Sequence, residues 1–148
     1  LSGLIAGLAA VTPAAGFVGP LAALGIGAVA GALCYASVMV VKAKFKYDDS
    51  LDAFGIHGVA GIWGVLAVGL WATVTVNANG ADGLFHSGAR QLLVQFVAVV
   101  VTAVFSFVVS FLLLKLVDKL MGLRVSQDHE LIGLDLTQHK ESAYTFLG

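Results

Sequence analysis

Long apolar runs broken by short polar stretches organise the chain. Residues 1–10 are apolar, the run stops at Thr12-Pro13-Ala14-Ala15-Gly16, and further apolar runs cover 18–41, 53–76 and 88–121. About 20 helical residues cross a hydrocarbon layer of about 30 Å, so each of the last three runs predicts a transmembrane helix. The first run is about half that length and predicts the end of such a helix. Its break is expected, because proline lacks a backbone donor and glycine permits a turn that lipid-facing helix does not tolerate. With no initiator Met and only half a span at its start, the chain reads as the C-terminal portion of a longer protein.

Inside 18–41, Gly27-x-x-x-Gly31 together with Ala28, Ala32 and Ala36 makes a small-residue stripe. Such a stripe predicts close helix contact, since packing rather than hydrophobic expulsion drives association in lipid. Gly55, Gly58, Gly61, Gly64 and Gly69 give the run 53–76 the same character. The run 88–121 is longer than a bilayer requires, so it must tilt, bend or protrude. Its Gln95, Thr102, Ser106 and Ser110 fall along one face and are expected to hydrogen-bond between helices.

The polar breaks set orientation. Lys42, Lys44 and Lys46 follow the second run, Lys115, Lys119 and Arg124 close the last one, and the turn cluster 77–83 has no Lys or Arg. By the positive-inside rule both basic ends are cytoplasmic, which puts the C-terminal tail inside. Asp48-Asp49-Ser50-Leu51-Asp52 leads into the third run, and Asp52 is the expected N-cap of a helix starting at Ala53. From Gly122 onward hydrophobicity collapses into a soluble tail, 122–148, too short to bury a core of its own.

Composition agrees with the pattern. Of 148 residues, 59% are hydrophobic and 11% charged, with mean hydropathy +0.95, against about 25% charged in a soluble domain. A formal net charge of -1 gives no reason to expect nucleic acid. The single cysteine, Cys34, lies inside an apolar run, which excludes an intrachain disulfide and reads as a small buried hydrophobe.

Candidate chemistry narrows to His57. An ionisable residue in a spanning segment is costly and marks a path for substrate or protons, unless it is a satisfied packing residue near the interface. The chain has no Ser-His-Asp order, no Cys or His pair at metal-ligand spacing and no phosphate loop, so it does not read as an enzyme and calls for no cofactor or metal. His86, His129 and His139 fall in loop or tail, where solvated surface is the expected role.

Asp49-Ser50-Leu51-Asp52-Ala53-Phe54-Gly55-Ile56-His57-Gly58-Val59-Ala60-Gly61-Ile62 resembles the D-x-x-D-x-F-G-x-H-G-x-x-G-I signature of ammonium transporters of the Amt/Mep family. Two more blocks agree in order and spacing: Ala6-Gly7-Leu8 to Thr12-Pro13-Ala14-Ala15-Gly16-Phe17, and Gly122-Leu123-Arg124-Val125 with Gly133-Leu134-Asp135 to His139, Glu141, Ala143 and Tyr144. The resemblance implies an all-α membrane protein of the eleven-helix type, with inverted repeats and a separate pore in each subunit of a homotrimer. It places His57 as the second of two paired pore histidines, with Ile5 and Ala53 in the apolar pore wall. By the same resemblance Asp49 and Asp52 are structural caps that, with Arg124, Asp135 and His139, couple to the tail. Lys140 departs from the family's usual glycine after the tail histidine.

The function so implied is ammonium uptake at the plasma membrane, with ammonium selected outside, deprotonated and passed as ammonia. A bare cation in an apolar pore carries a prohibitive desolvation cost, and potassium has no proton to shed. Expected partners are ammonium or ammonia, the lipid bilayer, and a PII-type regulatory protein at the cytoplasmic tail. Thr137 is a candidate for regulatory phosphorylation beside Asp135. The alternatives are an ammonium sensor with little flux and a Rhesus-type ammonia channel.

Overall fold

The computed structural model describes residues 1–142, so Ala143 and Tyr144 of the tail resemblance lie outside the described residues. Every regular element among the described residues is helical: α1 (Ser2–Val11), α2 (Pro20–Phe45), α3 (Phe54–Trp71), α4 (Ala89–Met121) and α5 (Gln127–Ile132). Helices α2, α3 and α4 are long and apolar enough to cross a membrane. A single 3-10 turn, Thr12–Ala14, follows α1, with Pro13 in it and Gly16 beyond it at φ 83°. The first break therefore falls where proline and glycine put it.

The chain divides into two compact units, 1–103 and 104–148, with the boundary inside α4. In the first unit α1, α2 and α3 pack on one another. Their buried positions are mostly small and recur at helical spacing: Ala6, Ala10 and Ala14, then Ile26, Ala30 and Cys34 on α2, then Ile56, Ala60, Ala67 and Val68 on α3. The helical period brings one narrow face of each helix to the shared seam, and alanine there lets the backbones approach. At Gly64 the approach is closest, since a Cβ would run into the carbonyl of Ala10. Trp63 spans the seam, its indole N–H donating to the Ile26 carbonyl at 3.0 Å.

The structure corrects two expectations here. Of the expected stripe, Gly27 packs closely on Gly7 of α1, where a Cβ on either would lie 3.7 Å from the other's Cα, but Ala28, Ala32 and Ala36 are exposed, and the buried face of α2 is Ile26, Ala30 and Cys34. Periodicity shows that α2 has a small-residue face, but two such faces exist and only contact with α1 and α3 selects one. Helix α3 ends at Trp71, five residues before 76, because the chain leaves helical geometry at Ala72 (ψ 144°). The Thr73 amide then donates to the Phe17 carbonyl and the Val74 amide to Asp82 Oδ1, tying 73–76 into the loop. Cys34 is 3% exposed, as expected of a small buried hydrophobe.

In the second unit the Leu123 amide donates to Asp118 Oδ1, and Gly122 turns the chain at φ 77°. Ser126 caps α5 by accepting from the His129 amide. Arg124 pairs with Glu130 through Nε at 2.6 Å and Nη2 at 3.2 Å. A wide turn, Asp135–His139, follows.

Candidate functional site

The segment that carries His57 is assembled from the end of α2, the acidic loop and the start of α3. The first amides of a helix have no partner within it and carry the positive end of its dipole, so a carboxylate is drawn there. That carboxylate is Asp49. The amides of Ala53, Phe54 and Gly55 donate to its oxygens at 2.8, 3.0 and 3.4 Å. This corrects the assignment of the cap to Asp52. Asp52 sits in left-handed backbone at φ 55°, and its Oδ1 accepts instead from Lys42 Nζ at 2.6 Å. The same ammonium donates to the Asp49 carbonyl at 2.6 Å.

Lys42 was legible in the sequence only as a topology marker. Nothing in its spacing distinguishes it from Lys44 or Lys46, and its function as a tie depends on how α2 ends.

Helix α3 opens with a wide π turn, Phe54–Gly58, and His57 lies in it. Gly55 and Ile56 of the turn are buried, while His57 and Ala53 are exposed. Among the described residues the imidazole has no hydrogen-bond partner. Phe54 packs edge-on against Tyr47, with ring centroids 6.1 Å apart, and covers the space over Gly58. Helix α1, which carries Ile5, packs against this turn, and Ile5 itself is 45% exposed. The three residues proposed to line a path therefore lie on elements that meet, and none is taken up by the core of this unit.

Within its own unit, the tail has a defined local structure. The Thr137 hydroxyl donates to the Gly133 carbonyl at 2.8 Å, and the Glu141 amide to the Asp135 carbonyl at 2.9 Å. His139 closes the wide turn and is exposed. Lys140 is held in left-handed backbone at φ 56°, the geometry that glycine adopts without steric cost. The Arg124 guanidinium holds the Glu130 carboxyl below its ordinary range.

Residues 1–144 match the sequence model of the Ammonium Transporter Family. The chain belongs to that family. It is 52% identical over 144 residues to an ammonium transporter of Bacillus subtilis, covering 97% of this chain and 36% of the relative. It is 50% identical over 145 residues to ammonium transporter Amt1 of Archaeoglobus fulgidus, with coverage of 98% and 36%. The crystal structure of Saccharomyces cerevisiae Mep2 superposes with a TM-score of 0.79 at 34% identity, over 86% of this chain and 30% of Mep2. That of Candida albicans Mep2 gives 0.78 at 30% identity, over 86% and 29%. The chain thus spans about a third of the length of the ammonium transporters it matches. It is a membrane protein with the ammonium-transporter fold, the family and fold class that the three sequence blocks implied.

Proposed function

We propose that this chain forms the C-terminal third of an ammonium transporter in the plasma membrane, with 1–121 in the membrane region and 122–148 as a cytoplasmic tail. It contributes His57 to a pair of pore histidines, and Ile5 and Ala53 to the apolar wall. Ammonium is selected outside and gives up its proton, and ammonia passes the imidazoles while the proton follows them. The physical reason is the desolvation cost: an unpaired cation loses far more on entering an apolar pore than a neutral amine does. A neutral imidazole both donates and accepts hydrogen bonds, so it serves either species.

The observation that carries this reading is the family match over 1–144 together with the imidazole of His57, exposed and without a hydrogen-bond partner among the described residues, in the opening turn of α3. Transport, rather than catalysis, is the activity proposed. The working assembly is a homotrimer, with the tail residues Arg124, Asp135 and His139 and a PII-type protein regulating it from the cytoplasm.

The test is the whole transporter in liposomes. His57→Ala is expected to lose ammonium-driven current or the rejection of potassium. Wild-type current with intact rejection overturns the reading.

A further inference from the structure

Two wide π turns meet, Ser37–Val41 in α2 and Phe54–Gly58, which contains His57, in α3. Gly55 makes their contact close, since a Cβ there would lie 2.7 Å from Val38 Cγ2 and 3.6 Å from Ser37 Oγ. From the same face of α2 the Cys34 thiol donates to the Ile56 carbonyl at 3.5 Å. A π turn is rare and holds one residue more than the α-helix would. Relaxation of the α3 turn would shift its register by one residue, about 100° around the axis, and swing the imidazole off its face. The contacts with α2 hold the middle of the turn, and its start needs a tie of its own.

We propose that Lys42 supplies it, as a positioning residue for His57. This rests on the reading of His57 as a pore residue. Two anchors at the start of the turn run through the Lys42 ammonium. It holds the Asp49 carbonyl, fixing the residue whose carboxylate caps Ala53, Phe54 and Gly55, and it holds Asp52, whose carbonyl accepts from the Ile56 amide at 2.9 Å. Lys42 follows directly on the α2 wide turn, whose extra residue sets the face from which the side chain departs. The two wide turns are therefore one device: the first aims the lysine, and the lysine holds the second.

The experiment is hydrogen exchange on the whole transporter, paired with transport. In Lys42→Met the amides of 53–58 are expected to exchange about fivefold faster, with 59–71 unchanged, the scale of losing one partly exposed ion pair. Asp52→Asn removes one of the two ties and is expected to give a smaller change in the same direction. Lys42→Arg is expected to keep the protection, and the double variant Lys42→Met with Asp52→Asn is expected to exchange no faster than Lys42→Met alone. Maximal transport should fall in Lys42→Met at unchanged half-saturating ammonium, as expected when the imidazole is displaced and the entry site is not. Unchanged exchange at 53–58 in both single variants, or additive effects in the double, overturns the proposal. Exchange reads the tie whatever the protein carries, so a wild type that transports no ammonium would sink the proposed function and leave this measurement interpretable.

Discussion

Gly61 and Gly64 look alike in the sequence, three residues apart in one glycine-rich run, yet alanine should affect them in opposite ways. At Gly61 a Cβ meets nothing within 4 Å. At Gly64 it would run into the Ala10 carbonyl oxygen and stand 2.9 Å from both the Ala10 carbonyl carbon and Pro13 Cγ. Ordinary carbon contacts lie at about 3.5–4.0 Å, so α3 must withdraw from α1 by roughly 1 Å. Neither the Ala10 backbone nor the Pro13 ring can swing aside as a flexible side chain would. Withdrawal also stretches the bond from Trp63 to the Ile26 carbonyl and opens the seam at Ala60 and Ala67. Overpacking of this kind costs about 1–3 kcal/mol, which is roughly a 5- to 150-fold change in the folding equilibrium. Gly61→Ala instead gains helix propensity, up to about 1 kcal/mol in water and less among lipid. Reversible unfolding of the purified transporter in mixed micelles, by denaturant titration, compares the two variants with wild type. Gly64→Ala is expected to be clearly destabilised and Gly61→Ala neutral or better. Equal stability of the two variants would refute the close approach of α3 to α1 at Gly64.

Lys140→Gly should tighten the tail turn, because it removes the steric cost of left-handed backbone at φ 56°, about 1 kcal/mol before the entropy of glycine is set against it. Slower exchange of the Glu141 amide would bear this out, and faster exchange would count against it. The Glu130 carboxyl is held below its ordinary value by Arg124, so the pair contributes above the unfolded carboxylate pKa and is lost as pH falls through the lowered one. A carboxyl titration by NMR should therefore show the Glu130 midpoint rise on Arg124→Ala; an unmoved midpoint would deny the ion pair. Thr137 donates to the Gly133 carbonyl, and a phosphate there would lose that donor and sit beside Asp135. Thr137→Asp is accordingly expected to loosen the tail and lower transport, and unchanged transport would remove Thr137 as a switch.

What was legible in the sequence follows from strong, local physics. Three membrane-length helices were readable because lipid accepts only long apolar segments with satisfied backbones, and α4 was bounded to within a residue at 88–121 against Ala89–Met121. The first break was readable because Pro13 and Gly16 act on their own backbone. His57 stood out because an imidazole in an apolar span is rare, and the spacing around it pointed to the family. Less local features were misread. Asp49 and Asp52 both suit a helix start by type, and only the left-handed backbone at Asp52 decides which carboxylate caps and which one meets Lys42. The end of α3 could not be read at 76, because the Phe17 carbonyl that takes the Thr73 amide is far away in the chain.

By itself, then, the sequence determined the membrane-spanning pattern, the family and the residue expected to do the chemistry, since hydropathy and residue type act without reference to distant neighbours. The tertiary structure alone decided which face of α2 turns inward, which of two similar glycines leaves no room for a side chain, and how an unremarkable lysine comes to hold the histidine turn. Each of those depends on contact between segments, and contact is set by packing geometry that no local pattern contains.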